Sequence, residues 1–375
     1  MTDAVLCVDI GTTSLKAGLV TAGGEVVSVC TVKFNSADDK YHIARKWLPA
    51  FERAVEKLGV ALDGPRESCA CGLCGNTFPR LLPSCRATAI SVSGNGPTVV
   101  TEDGTTVLWN DQYQVAPERT GRSLFLPKII TLKEFFPAEF SASNYIFSGP
   151  EYLVWKLTGN AVTILPEARF KTAYWSPESL AAEGIPAEKL PPFYAIGEKL
   201  GTFGTVPVYG AGPDFVAALI GTNTLSVGRL CDRSGSSEGL NFCVPAAISA
   251  PGLRTLPSVI PGLWNISALL PRSGRMPESQ RLSALRAAVE QLRALSDECG
   301  VAFPQEIFAT GGQTKNPGYM KRKAAALGVA LVEANCDDAE LLGDACAAWY
   351  GLGVYESLAD AAQSIVKEGK HYETI

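Results

Sequence analysis

No block of like charge interrupts this chain. Its 33 basic and 38 acidic residues are interspersed and leave a net charge of −5, which argues against a nucleic-acid partner. No apolar run is long enough to cross a bilayer, so no membrane partner is expected. The opening MTDAVLCVDI lacks a basic stretch and turns polar too early for a signal peptide. A cytoplasmic location is the resulting expectation. Histidine is scarce: His42 and His371 are the only two, and neither lies near the cluster Cys69, Cys71, Cys74 and Cys85. Paired CxxC knuckles are also missing, so that cluster reads first as a cysteine-rich connecting loop and only second as a zinc site. The eleven cysteines are odd in number and scattered through strand-like and helix-like segments, the pattern of reduced core residues rather than a disulfide framework.

What is present is an alternation of strands and helices in a chain of 375 residues, long enough for about two domains. Val5 to Ile10, Leu15 to Val20 and Val26 to Phe34 read as strands joined by tight turns. Ala44, Trp47, Leu48, Phe51, Val55 and Leu58 recur at helical spacing. Ala87 to Val92 and Thr98 to Thr101 are further strands, and Leu282 to Leu295 a long helix before Gly300. Beyond the short strand Ile307 to Ala309, Asn316 is suited to cap a helix that starts at Pro317 and stops at Gly328. Val329 to Val332 then suits a strand, and Asp338 to Leu352 a helix. The fold class is α/β.

The turn in VLCVDIGTTSLKAG carries more than a change of direction. It puts the carboxylate of Asp9 at the end of a buried strand, followed by Gly11, Thr12, Thr13 and Ser14, whose backbone N–H groups can converge on one point as phosphate-binding turns do. Lys16 follows, pointing either inward as a counter-charge or outward into solvent. A second hydroxyl-rich turn, Ser234 to Glu238, lies between strands in VGRLCDRSGSSEGLNFCVP. Two such devices, each opening its own half of the chain, suggest a duplicated domain with a nucleotide between the halves.

The order of motifs resembles the FGGY family of carbohydrate kinases, within the superfamily of hexokinase, actin and the Hsp70 ATPase domain. DIGTTSLKAG resembles the family's first phosphate motif, VSGNGPTVVTEDGTTVLWND its substrate-side hairpin, VYGAGPDFVAALIG the element with the catalytic carboxylate, RSGSSEGL the second phosphate motif, and ATGGQTKNPGYMKRKAAALG the adenosine loop. LLGDACAAWYGLGVY resembles the terminal helix beside that loop. The resemblance runs nearly end to end. It implies two ribonuclease-H-like (actin-like ATPase) domains with a cleft between them, residues 1–222 carrying the sugar site and catalytic base and residues 223–375 the adenine nucleotide. Only residues 239–310 separate the second phosphate motif from the adenosine loop, so the second domain is expected to be shortened.

The resemblance also implies roles. Asp214 would be the general base, Asp9 would hold Mg²⁺ through water, and Gly11, Thr12, Thr13, Ser14 and Lys16 would face the phosphates of ATP. Gly235, Ser236 and Ser237 would close on those phosphates from the other domain, with Gly311, Gly312, Gln313 and Asn316 along the adenosine. Asn95, Gly96, Trp109, Asn110 and Asp111 would meet the sugar. Trp109, Asn110 and Asp111, with Pro127 and Lys128, resemble the xylulokinase-like, pentulose branch; the Arg-Glu pair of a glycerol kinase is missing. The expected substrate is a ketose or polyol, and a homodimer is compatible with the resemblance. Gln313 in place of a third glycine, and the irregular RSGSSE turn, leave a second reading: a nucleotide- or sugar-binding regulator without turnover.

Overall fold

A computed structural model describes residues 2–34, 39–60, 62, 85–111, 113–235 and 237–374. Cys69, Cys71, Cys74 and Ser236 lie outside the described residues, as does the side chain of Cys85. The seven described cysteines are free thiols. Among the described residues no helix is long and apolar enough to cross a membrane.

Two mixed sheets organise the chain. In the first, Thr2–Ile10, Ser14–Val20 and Val26–Lys33 form an antiparallel meander, and Cys85–Gly94 and Val206–Pro213 continue it as parallel strands, with Gly201–Phe203 at the edge. The second repeats that plan. Leu230–Ser234, Glu238–Val244 and Trp264–Leu270 are the antiparallel meander, and Glu306–Thr310 and Ala330–Ala334 the parallel strands; Leu253–Pro257 and Glu368–Tyr372 close the two edges. The shared order is the duplication that the two hydroxyl-rich turns suggested. Strands buried on both faces need continuous apolar runs, and Ala4 to Val8 is fully buried.

Most expected elements appear within two or three residues of their bounds. The first helix begins at Trp47 rather than Ala44, because Lys40–Lys46 forms a 3-10 segment with His42 at φ −127°. Asn316 caps the helix Pro317–Leu327 by accepting from the Tyr319 N–H at 3.1 Å, and Gly328 ends it at φ +64°.

The helix Ala339–Gly351 belongs to the second half by sequence, yet it packs on strands 2–10, 85–94 and 206–213 of the first sheet and against the helix Asp214–Gly221. Its residues 339 to 349 are all buried, as an all-round apolar helix requires. The two helices touch backbone to backbone. A Cβ on Gly221 would lie 1.7 Å from the Ala339 carbonyl oxygen, and one on Gly343 would lie 2.0 Å from that of Ala217. This approach fixes where Asp214, the first residue of one helix, sits relative to Glu340 near the start of the other. Gly343→Ala is expected to destabilise the protein by about 1–3 kcal/mol, because neither backbone can yield to the added methyl. Gly312→Ala, with nothing within 4 Å of the new carbon, should leave stability unchanged. Urea midpoints of the two variants check both statements; an unmoved midpoint for Gly343→Ala would contradict the contact.

Candidate active site

The turn after strand 2–10 puts Asp9 and Lys16 on cross-strand partner positions. Lys16 faces inward: its Nζ lies 2.7 Å from Asp338 and 3.6 Å from Asp9. Burial disfavours its charge, but Asp9, Glu340 and Asp338 outweigh burial and raise its pKa. Asp9 is 5% exposed. Burial lifts its carboxyl to about 7 against the pull of Lys16, with Glu340, Asp214 and Asp338 adding to the lift. Its Oδ1 has no hydrogen-bond partner.

Asp214 opens helix 214–221 directly after strand 206–213. Its Oδ1 accepts from the Phe215 N–H at 2.7 Å, satisfying one free donor of the first turn. Burial pushes its pKa up; Arg233, 3.4 Å from Oδ2, opposes that push, and Glu340 reinforces it. The N-cap itself is Pro213, so Asp214 serves the first turn from inside the helix while its side chain stays partly exposed.

On the sugar side, one hydroxyl ties three expected site residues together. Thr12 Oγ1 donates to Asn95 Oδ1 at 3.3 Å and accepts from Trp109 Nε1 at 3.1 Å. Asn95 is buried and its Nδ2 has no partner, whereas Asn110 is exposed. Asp111 turns back on its own loop, accepting from the Leu108 N–H at 2.9 Å, and its backbone carbonyl accepts from Lys128 Nζ at 3.1 Å. Gly96 lies beside Asp214: a Cβ there would sit 2.6 Å from Pro213 Cβ, and its backbone N–H helps to lower the Asp214 pKa. In the first turn, Gly11 N–H donates to the Ser14 carbonyl and the exposed Thr13 accepts from the Phe34 N–H.

In the second half, the hydroxyl-rich turn 234–238 and the loop 311–316 form one unit. Gly311, at φ +100°, approaches Ser234 so closely that a Cβ would meet its carbonyl oxygen at 2.5 Å. Gln313 donates from its N–H to the Ser234 carbonyl at 3.3 Å and from Nε2 to the Gly235 carbonyl at 3.2 Å. The glutamine that replaces a third glycine thus stitches the loop to the turn. Ser237 Oγ accepts from the Arg272 N–H at 3.1 Å, and Asn316 is used as the helix cap.

Several side chains at this site were not singled out from sequence. Glu340 and Asp344 stand four apart in the otherwise apolar AELLGDACAAWYG, a spacing that puts both acids on one helix face; that was the available signal. Asp344 accepts from Ser93 Oγ at 2.9 Å and Ser91 Oγ at 3.3 Å, pinning the helix to strand 85–94. Burial raises its pKa well above the carboxylate range. Lys323 is fully buried and pairs with Asp232 and Glu238 while donating to Ser234 Oγ at 2.7 Å. Glu238, the last residue of the irregular RSGSSE turn, is thus paired with that lysine.

Three comparisons bear on this geometry. Residues 271–352 match the model of the FGGY family of carbohydrate kinases, C-terminal domain. The whole chain superposes on the crystal structure of a xylulose kinase from Lactobacillus acidophilus with a TM-score of 0.74 at 16% identity, covering 100% of this chain and 94% of that one. Residues 271–352 thus carry a likeness to the FGGY C-terminal domain, and the chain as a whole shares the fold of that solved kinase. A gluconate kinase from the same organism fits equally well, at TM-score 0.74 and 15% identity over 100% of this chain and 94% of its own, so the shared fold does not choose between the two kinases. The curated xylulose kinase of Lactococcus lactis subsp. lactis (strain IL1403) is 24% identical over 310 residues, 66% of this chain. The chain spans 58% of the length of that relative.

The buried charges around Lys323 give a direct test. Lys323→Met keeps the volume but leaves Asp232 and Glu238 uncompensated, and breaking a buried pair this way costs about 3–5 kcal/mol. Chemical denaturation should show that loss, and a Lys323→Met/Glu238→Gln double variant should recover part of it. A single variant as stable as the parent would reject the triad.

Proposed function

We propose that this chain transfers the γ-phosphoryl group of ATP to a hydroxyl of a small sugar or polyol, a pentulose by preference, with Asp214 as general base. The supporting observation is the convergence of Asp214, Asp9 and Lys16 on one acidic cluster, beside the linked Thr12, Asn95 and Trp109. We place the division of the halves at residue 222, after the helix that carries Asp214: residues 1–222 hold the sugar and 223–375 the nucleotide.

The chemistry follows from the charges. A sugar hydroxyl is a weak nucleophile, so its proton must leave as the oxygen attacks the γ-phosphorus; Asp214 accepts it while the bond to the β-phosphate oxygen breaks and ADP departs. Arg233 lowers the pKa of Asp214 against the push of burial, which favours the ionised form that a base needs. Among the described residues no group of three or more His, Cys, Asp or Glu side chains encloses a metal ion. The unpartnered, buried Asp9 Oδ1 suits an ion held through its water shell. Mg²⁺ there would supply positive charge at the β- and γ-phosphates. Gly11, Thr12, Thr13 and Ser14 would orient those phosphates from one side and Gly235, Ser236 and Ser237 from the other. Gly311, Gly312, Gln313 and Asn316 would border the adenosine. Gly96, Asn110 and Asp111 would complete the sugar site. The pentulose preference rests on the Trp109, Asn110 and Asp111 element and on the curated xylulose kinase relative.

Mass spectrometry of a panel of ketoses, aldoses and polyols after incubation with Mg²⁺ and ATP tests the reading: one or more should gain a phosphate. ATP binding without any phosphorylated product would overturn it in favour of a regulator. Asp214→Asn should lower sugar-dependent ADP release by about 10²–10⁴-fold with nucleotide binding nearly intact; a variant at parental speed would remove Asp214 as base. Asp9→Ala should weaken Mg²⁺-ATP binding far more than metal-free ATP binding in calorimetry, and equal losses would reject its role toward the ion.

A further inference from the structure

Strand Leu230–Ser234 alternates its side chains between two environments, as strands must. Asp232 and Ser234 point to buried Lys323. Arg233, between them, points the other way, across the cleft to the first half. Its Nη2 lies 3.4 Å from Asp214 Oδ2 and 3.5 Å from Glu340 Oε1.

Both contacts are longer than the roughly 2.7–2.9 Å of a strong charge-assisted hydrogen bond, and one nitrogen is shared between two acids. Nε is buried and has no partner. A guanidinium carries five N–H donors in a planar fork that fits phosphoryl oxygens, so this one is under-used. It is also close to the expected chemistry: Gly235 of the phosphate turn is two positions along, and the base is its neighbour across the cleft. Lys16, the other cation of the cluster, is held at 2.7 Å by Asp338.

We propose that Arg233 is a catalytic residue that grips the transferring phosphoryl group from the second half of the chain, exchanging its loose contact with Asp214 for the γ-phosphoryl oxygens when the nucleotide enters. This rests on the kinase reading above. It gives the second half a positive group at the reacting phosphorus, where charge spreads over three oxygens during transfer, and it frees Asp214 to meet the sugar hydroxyl as the phosphate arrives.

The test compares Mg²⁺-bound ADP with its non-hydrolysable triphosphate analogue, β,γ-imido-ATP, by calorimetry on the parent, Arg233→Met and Arg233→Lys. The methionine variant should lose about 10- to 100-fold in affinity for the analogue, the range for a hydrogen bond to a charged group, with ADP affinity within about twofold of the parent. Lysine, which keeps the charge without the fork, should fall between. An arginine that only ties the two halves together would weaken both nucleotides equally, and that result, or no change for either, overturns the proposal. Should Arg233→Met melt early, Arg233→Lys decides by the same difference. The two readings fail separately. A parent that binds the analogue but phosphorylates no sugar removes the kinase reading and leaves the affinities to judge Arg233. Phosphorylated sugar together with an unchanged affinity ratio in both variants removes Arg233 alone, and a parent that binds neither nucleotide overturns both.

Discussion

Everything in the cleft depends on two helices that meet through bare backbone. Helix 214–221 starts with Asp214, helix 339–351 starts beside Asp338 and Glu340, and Gly221 and Gly343 let them approach until any side chain at either position would strike a carbonyl. That contact sets the distance between Asp214 and Glu340, which come from different halves of the chain. It also explains why a helix from the second half lies on the first sheet: with residues 339 to 349 all buried, it has no face to offer water. The serine hydroxyls of strand 85–94 then hold it in register by donating to Asp344.

Once those carboxylates are brought together, their desolvation dictates the rest. Asp9, Asp214 and Asp344 are all pushed up by burial, and an acid cluster of this kind is tolerable only with cations inside it. Lys16 and Arg233 answer from opposite halves, and each is held charged by the acids it serves. The second half solves a smaller version of the same problem with Lys323 between Asp232 and Glu238. Those pairs join strand 230–234 and its turn to helix 317–327, the helix that follows the loop 311–316. Orientation of the turn and of the loop are therefore not independent variables.

Much of this was legible because it is local. The strand that ends at Asp9, the glycine-hydroxyl turn and Lys16 on the neighbouring strand follow from apolar runs and a tight turn; so do Asn316, Pro317 and Gly328 as cap, start and stop. Each signal and its partner lie within a few residues. Arg233 and Lys323 were not legible for the opposite reason. Their partners are remote along the chain, and a charge in a strand or helix reads as solvated until topology gives it a buried acid. Lys16 lay between these cases: its cross-strand contact with Asp9 is local, but its closer partner, Asp338, comes from the other half. The use of Thr12 was likewise hidden. Its hydroxyl, expected at the phosphates, is engaged by Trp109 and Asn95, so the turn after Asp9 and the segment 95–109 share a side chain.

On the proposed function, that shared threonine and the surplus of acids have a joint consequence. Asp9, Asp214, Glu340 and Asp338 outnumber Lys16 and Arg233, so a triphosphate entering alone would meet net repulsion at short range in a poorly solvated space, where Coulomb terms are large. A neutral sugar meets no such barrier. Nucleotide entry would then be coupled to a counter-ion; of the cluster's carboxylates Asp9 and Glu340 each keep a buried oxygen without a partner, and Asp9, at the end of the strand that leads into the glycine-hydroxyl turn, is the natural place for that ion. The same imbalance ties the halves together: moving the strand of Arg233 away from the first sheet would take from Asp214 and Glu340 the cation they share. An open cleft would thus cost electrostatic energy unless water entered to solvate the acids, and closing around the substrates would expel that water.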